Sequence, residues 1–154
     1  MGVFRGVYNI ALDGKGRMTM PTRYRDALQV SDAGLLIATI DIQSRCLLLY
    51  PAAVWLDIEQ TLQGLPALNP TTRRIQRLML GYASELELDG SGRLLLPASL
   101  REYAQLDKKI VLVGQGSKFE LWSEDLWAAE TLQAMADASS GELLIPAEIQ
   151  HLVL

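Results

Sequence analysis

Tyr8, Ile10 and Leu12 alternate with Asn9, Ala11 and Asp13, the period-two spacing of a strand buried on one face. Leu86 and Leu88 alternate with Glu85, Glu87 and Asp89 in the same way. Each run ends in Asp-Gly-x-Gly, where glycine takes positive φ at little steric cost, so the chain reverses tightly into a second, short strand. On that strand Met18 and Met20, or Leu94 and Leu96, share one face, while Arg17 and Arg93 begin on the other. Pro21 and Pro97 close these strands and suit the first turn of a helix, predicted over 22–28 and 98–105. Further strands are predicted over 35–40, 46–50, 109–113 and 118–122. A helix from about Pro51 carries Val54, Trp55, Ile58 and Leu62 on one face. Another follows Ser123, a good N-cap, with Glu124 and Asp125 at its positive end. Residues 65–70 read as a loop and about 71–82 as a helix with Ile75, Leu78, Met79 and Tyr82 along one side. Arg73, Arg74 and Arg77 lie on its other side, as a solvated face or as a phosphate-binding stripe.

These elements occur twice. Asp13-Gly14-Lys15-Gly16-Arg17 to Pro21 and Asp89-Gly90-Ser91-Gly92-Arg93 to Pro97 share Asp, Gly, Gly, Arg and Pro at an offset of 76, which Arg25 and Arg101 also keep. Leu49-Tyr50 and Trp55 match Leu121-Trp122 and Trp127 at an offset of 72, so the second copy lacks four residues between the blocks. Order is preserved through strand, turn, strand, helix, strand, strand and helix, the mark of a duplicated unit. The expected organisation is a first unit over 1–64, a linker and the start of a connecting helix over 65–79, a second unit over 80–137 and a tail over 138–154. The echo at Gly141 to Pro146 lacks the Asp-Gly turn and is treated as chance. The apolar tail reads either as a subunit contact or as local packing.

Hydrophobic residues make up 49% of the 154 and charged residues 21%, which supports a folded core. No apolar stretch approaches the roughly 20 residues of a membrane helix. The N-terminus lacks a basic segment followed by an apolar one, and Gly6 stands where a lipidation motif beginning at Gly2 needs Ser or Thr; a cytoplasmic address is expected. Cys46 is the one cysteine, in an apolar run that reads as a buried thiol, and His151 is the one histidine. Metal sites and Ser/His or Cys/His catalytic pairs therefore lack material, and neither enzyme activity nor a cofactor is expected. The net charge of -4 argues against nucleic acid until its distribution is considered. Residues 1–25 hold Arg5, Lys15, Arg17, Arg23 and Arg25 against Asp13, a local +4 that leaves -8 for the other 129. That pattern fits either a local anion-binding surface or a solvated basic face.

The Gly-rich turn has neither the glycine spacing nor the Gly-Lys-Ser/Thr ending of a phosphate loop, and it joins two strands rather than opening a crossover helix. Duplex DNA suits it better. A two-stranded ribbon fits the major groove, and arginine offers a forked donor set for guanine O6 and N7 or for phosphate. Lys15 and Arg17 would occupy the ribbon tip, with Arg5, Arg23 and Arg25 holding the DNA backbone. The competing reading is a salt bridge from Arg17 to a nearby acid that stiffens the turn. That reading is preferred for Arg93, because Ser91 replaces Lys15 in the second copy. A ring-forming protein-interaction scaffold whose basic turn holds an acidic partner is the alternative function.

The duplicated Asp-x-x-Gly-Arg-x-x-x-Pro-x-x-x-Arg pattern resembles the MraZ family, as do Asn69-Pro70, Arg73-Arg74, Gln76-Arg77-Leu78 and Gly114-Gln115 with Lys118 to Trp122. The resemblance covers Met1 to about Trp127. It implies an α+β fold of two tandem, pseudo-symmetric AbrB-like swapped-hairpin units in a compact β-barrel-like core with flanking helices. It also implies a ring-like homo-oligomer in the nucleoid. That oligomer would bind repeated double-stranded promoter boxes ahead of the division and cell-wall gene cluster. The carried-over DNA positions are Lys15 and Arg17, with Arg25 and Arg93.

Overall fold

The computed structural model describes residues 3–152; the lipidation motif considered at Gly2 and the last two residues of the apolar tail, Val153 and Leu154, lie outside them. The chain forms two compact units, one up to Glu124 and one from Asp125.

The first unit runs β1 (Val7–Ala11), β2 (Arg17–Thr19), α1 (Thr22–Asp32), β3 (Leu35–Ile40), β4 (Leu47–Pro51), α2 (Ala52–Gln63), α3 (Pro70–Gly81), β5 (Ser84–Glu87), β6 (Arg93–Leu95), α4 (Ala98–Tyr103), β7 (Lys109–Gly114) and β8 (Phe119–Ser123). The order expected from the periodicity is the order found, with ends shifted by a few residues. Pro21 and Pro97 stand at the N-caps of α1 and α4 with extended backbone. Helix α1 continues to Asp32, beyond the expected end at Leu28. Pro70 is the first residue of α3, and the Asn69 carboxamide oxygen accepts from the Thr71 and Thr72 amides at 2.9 and 3.3 Å, satisfying helix donors that have no partner in the first turn.

All strand pairs are antiparallel, and the repeats interleave. A six-stranded sheet has the order β1-β7-β8-β4-β3-β5, and β2 pairs with β6 in a second, two-stranded sheet. The pairs β1–β7, β4–β8, β3–β5 and β2–β6 each join one repeat to the other. The expected barrel-like closure is not found: the larger sheet is open, with β1 and β5 at its edges. Closure needs a continuous ladder between those edges. The short β2 and β6 instead spend their hydrogen bonds on each other, and among the described residues a single bridge, Leu12 to Met18, links β2 back to the end of β1.

Alternation along the strands divides the core. One face of the large sheet presents Leu36, Ala38, Ile40, Leu47, Leu49, Ile110, Leu112, Phe119 and Leu121, packed with Met18, Met20, Leu94 and Leu96 of the small sheet and its flanks, and with Leu28 and Leu100 of α1 and α4. The opposite face presents Ile37, Leu48 and Tyr50 to Trp55 and Leu62 of α2 and to Ile75, Met79 and Leu80 of α3. Thr39, also on that side, donates its hydroxyl to the Met79 carbonyl at 2.7 Å, so its burial leaves no polar group stranded. Cys46 is buried just before β4; burial, with Glu120 and Asp41 nearby, pushes its thiol pKa well up, as befits an inert core thiol.

The unit from Asp125 continues α5 (Glu124–Ser140) and adds α6 (Ala147–Gln150), a helix the sequence reading did not anticipate. The Asp137 carbonyl accepts from the Glu142 and Leu143 amides where α5 ends. The echo at 141–146 forms no strand. No helix among the described residues is long and apolar enough to cross a membrane.

Because Met18 is fully buried between the sheets, Met18→Ala should cost about 2–5 kcal/mol. Thr19→Ala, on the exposed side of the same strand, should stay within about 0.5 kcal/mol. Urea unfolding of both variants compares them, and equal losses would contradict the face assignment.

Candidate nucleic-acid interface

The turn between β1 and β2 is organised by one carboxylate. Asp13 Oδ1 accepts from the Lys15 amide at 2.9 Å and the Arg17 amide at 2.8 Å, while Oδ2 accepts from Arg17 Nε at 2.8 Å. Asp89 repeats this with the Ser91 amide, the Arg93 amide and Arg93 Nε at 2.8, 2.9 and 3.0 Å. These donors stabilise the ionised carboxylate. The Arg17 amide first, then its side chain and the Lys15 amide, draw the Asp13 pKa down to about 2, and the Arg93 amide is the main cause of a lowered Asp89.

The salt-bridge reading of Arg17 is the one observed, and it does not use up the guanidinium. The salt bridge exists and stiffens the turn, yet it engages only Nε. Among the described residues no second carboxylate lies near this guanidinium, whose side chain remains 31% exposed. Lys15 is exposed beside it. A fixed backbone, a free ammonium and the outer fork of a guanidinium together make a site for anionic oxygen or for a guanine edge.

The arginines on the helices sit crosswise. Gly16 has φ +87°, and a Cβ there would come within 2.8 Å of the Arg101 guanidinium. Gly92 has φ +75°, and a Cβ there would collide with the Arg25 side chain. Arg101 Nε donates to the Leu96 carbonyl at 3.1 Å and Arg25 Nε to the Met20 carbonyl at 2.7 Å, fixing each across the other repeat's turn. Exchange of β2 and β6 is the cause: Leu96 N–H reaches the Gly16 carbonyl at 2.8 Å and Met20 N–H the Gly92 carbonyl at 2.9 Å.

The six arginine and lysine positions singled out in the sequence thus fall into three places. Lys15 and Arg17 share the first turn, joined there by Arg101, which the sequence reading did not count as a site residue. Arg25 and Arg93 share the second turn, and Arg25 lines a cleft of about 420 Å³ there with Asp26 and Asp89. The Arg5 backbone and the Arg23 side chain meet at Tyr24. The Tyr24 hydroxyl donates to the Arg5 carbonyl at 2.6 Å, and the Arg23 guanidinium lies 5.8 Å from the Tyr24 ring centre. The Tyr8 hydroxyl lies 3.1 Å from that of Tyr24; this bond is the main cause of its lowered pKa, with Arg23 contributing. The matching offsets of Arg25 and Arg101 were visible in the sequence, but the strand exchange that decides which turn each one covers was not.

The family model of the MraZ protein, described as antitoxin-like, matches this chain twice in tandem, over residues 3–78 and 79–143. The chain is 46% identical over 152 residues to a protein of Halorhodospira halophila named transcriptional regulator MraZ, covering 99% of this chain and all of that one. It is 55% identical over 138 residues to a protein of the same name from Tolumonas auensis, covering 88% and 91% of the two chains. A further one, from Alkalilimnicola ehrlichii, is 57% identical over 125 residues, covering 81% and 83%.

Two outcomes follow from the turn geometry. Gly16→Ala should destabilise the protein by more than about 1 kcal/mol, since it combines a positive φ with a blocked Cβ. Gly14→Ala, which meets nothing within 4 Å, should change little, and thermal unfolding of the pair tests this contrast. The Asp13 carboxyl, followed by NMR, should titrate near pH 2 against an ordinary 3.8. A folded-state pKa below the unfolded value means the turn's contribution is whole above about pH 4 and lost as pH falls through about 2.

Proposed function

This chain belongs to the MraZ family, and from that premise we propose that it is a transcriptional regulator that binds specific promoter DNA as a homo-oligomer. The observation that carries this reading is the first turn, where exposed Lys15 and half-buried Arg17 stand on a hairpin whose Asp13 carboxylate is committed to the Lys15 and Arg17 amides and to Arg17 Nε, leaving the outer fork of the guanidinium without a carboxylate partner among the described residues. Arg17 is assigned the base-edge or phosphate contact and Lys15 a phosphate. Arg101 backs the same turn and adds a third cation. Arg5, whose backbone is bonded by Tyr24, and Arg23, whose guanidinium lies by the Tyr24 ring, are assigned phosphates farther along the duplex. Arg25 and Arg93 form the weaker second site, because Ser91 supplies no charge where the first copy has Lys15.

The pairing of β2 with β6 supports a swapped-hairpin description of the two repeats, taken as 1–64 and 80–137, joined through 65–79 and followed by a tail from 138. A body of net charge -4 repels DNA away from these turns, so one subunit should bind weakly. Several identical first turns on a ring-like assembly would meet repeated boxes, and avidity of this kind exceeds single-site affinity by about 10²–10⁴. The promoter region ahead of the division and cell-wall gene cluster is the assigned target, and the nucleoid the place of action.

Arg17→Ala should abolish the gel shift of that promoter DNA while leaving the oligomer mass unchanged; near-normal retardation would refute the assignment. The wild type should lose affinity with a log–log salt slope of about -0.9 for each phosphate neutralised. A flat titration between about 50 and 200 mM salt would remove direct DNA recognition from consideration.

A further inference from the structure

Helix α3 lies on the sheet face opposite the small β2–β6 sheet and carries Arg73, Arg74 and Arg77, all exposed, with no acidic residue along it. The ion pairs among the described residues are those of Arg17 and Arg93, so none serves α3. Like charges three and four residues apart on a helix repel one another, and an anionic partner would relieve that cost. Arg73 and Arg77 border a shallow groove of about 490 Å³, shared with Ala67, Gln76, Leu80 and Gly81. Gln76 already donates to the Leu62 carbonyl at 2.7 Å, which leaves two guanidiniums to satisfy the groove's occupant. Duplex DNA held at the first turn would lie on the far side of the large sheet from this groove. A different partner is needed.

The C-terminal unit has the complementary chemistry. From Asp125 to Leu152 it holds Asp125, Glu130, Asp137, Glu142 and Glu148 and no lysine or arginine. None of the 17 residues of α5 is fully buried. After Gly141, at φ +79°, residues 142–146 run without regular structure, and Leu143, Leu144 and Ile145 are exposed, Leu144 by 88%. A carboxylate followed by three apolar side chains matches a groove lined by two guanidiniums with Ala67 and Leu80.

We propose that the Glu142–Ile145 segment of one copy docks into the α3 groove of a second copy, with Glu142 between Arg73 and Arg77 and the apolar side chains toward Ala67 and Leu80. Tail and groove are different surfaces, so the contact is head-to-tail, the kind that closes into rings when its rotation permits. The inference rests on the self-assembly part of the function proposed above.

The test is the solution mass of the full-length chain by light scattering, with far-UV circular dichroism as the control for folding. Arg73→Glu with Arg77→Glu, and separately Leu144→Asp, should each lose the multimer peak. Adding Glu142→Arg to the first pair should recover it, because the reversed charges again attract. A multimer that survives both changes overturns the docking assignment while leaving the functional reading intact. A multimer that survives the arginine reversals but no longer retards promoter DNA also overturns it, because α3 would then be a phosphate contact. A monomeric wild type overturns the self-assembly reading and this inference together.

Discussion

The hydrogen bonds from Leu96 N–H to the Gly16 carbonyl and from Met20 N–H to the Gly92 carbonyl bind each repeat's turn to the other repeat's strand. The geometry of both turns depends on that exchange. It places β2 against β6, buries Met18, Met20, Leu94 and Leu96 over the large sheet, and carries Arg101 across the first turn and Arg25 across the second. A half-chain would have strands without ladder partners, leaving buried amides and carbonyls unpaired at a cost of about 1–3 kcal/mol each. The duplicated sequence is therefore two units by descent and one body by hydrogen bonding.

Segregation of charge along the chain lets an acidic protein carry a locally basic turn. Charge in this chain is segregated: cations collect at the first turn, around Tyr24 and along α3, while the stretch from Asp125 onward has carboxylates and no arginine or lysine. Asp13 is the exception within the basic region, and its oxygens are taken up by two turn amides and by Arg17 Nε. A carboxylate engaged by two amides and one Nε rigidifies the hairpin without cancelling the outer face of the guanidinium. The second turn has an equally rigid frame with Ser91 in place of the lysine, so the two turns differ in charge and hardly in shape.

Much of the fold was legible from periodicity. The alternation of Leu35 to Ile40, the Asp-Gly-x-Gly turns and the apolar stripe of α3 each predict an element that is found, because local propensity and the burial of one face point the same way at those places. Ends were less legible: α1 continues to Asp32, and Cys46 falls just outside β4. The site was legible in composition and not in assembly. Lys15 and Arg17 stand where a hairpin tip had to carry them, whereas Arg25 was expected beside them and lies instead against Gly92.

By itself the sequence determined the family, the repeat, the order of elements, the buried faces of β2 and β6 and the identity of the turn cations, since all of these follow from spacing along the chain. Tertiary structure alone decided that the large sheet stays open and that Arg101 completes the first turn. It also decided that the α3 arginines face away from that turn. Each of those outcomes depends on which strand accepts hydrogen bonds from which, a choice between partners about 76 residues apart that short-range pattern cannot encode.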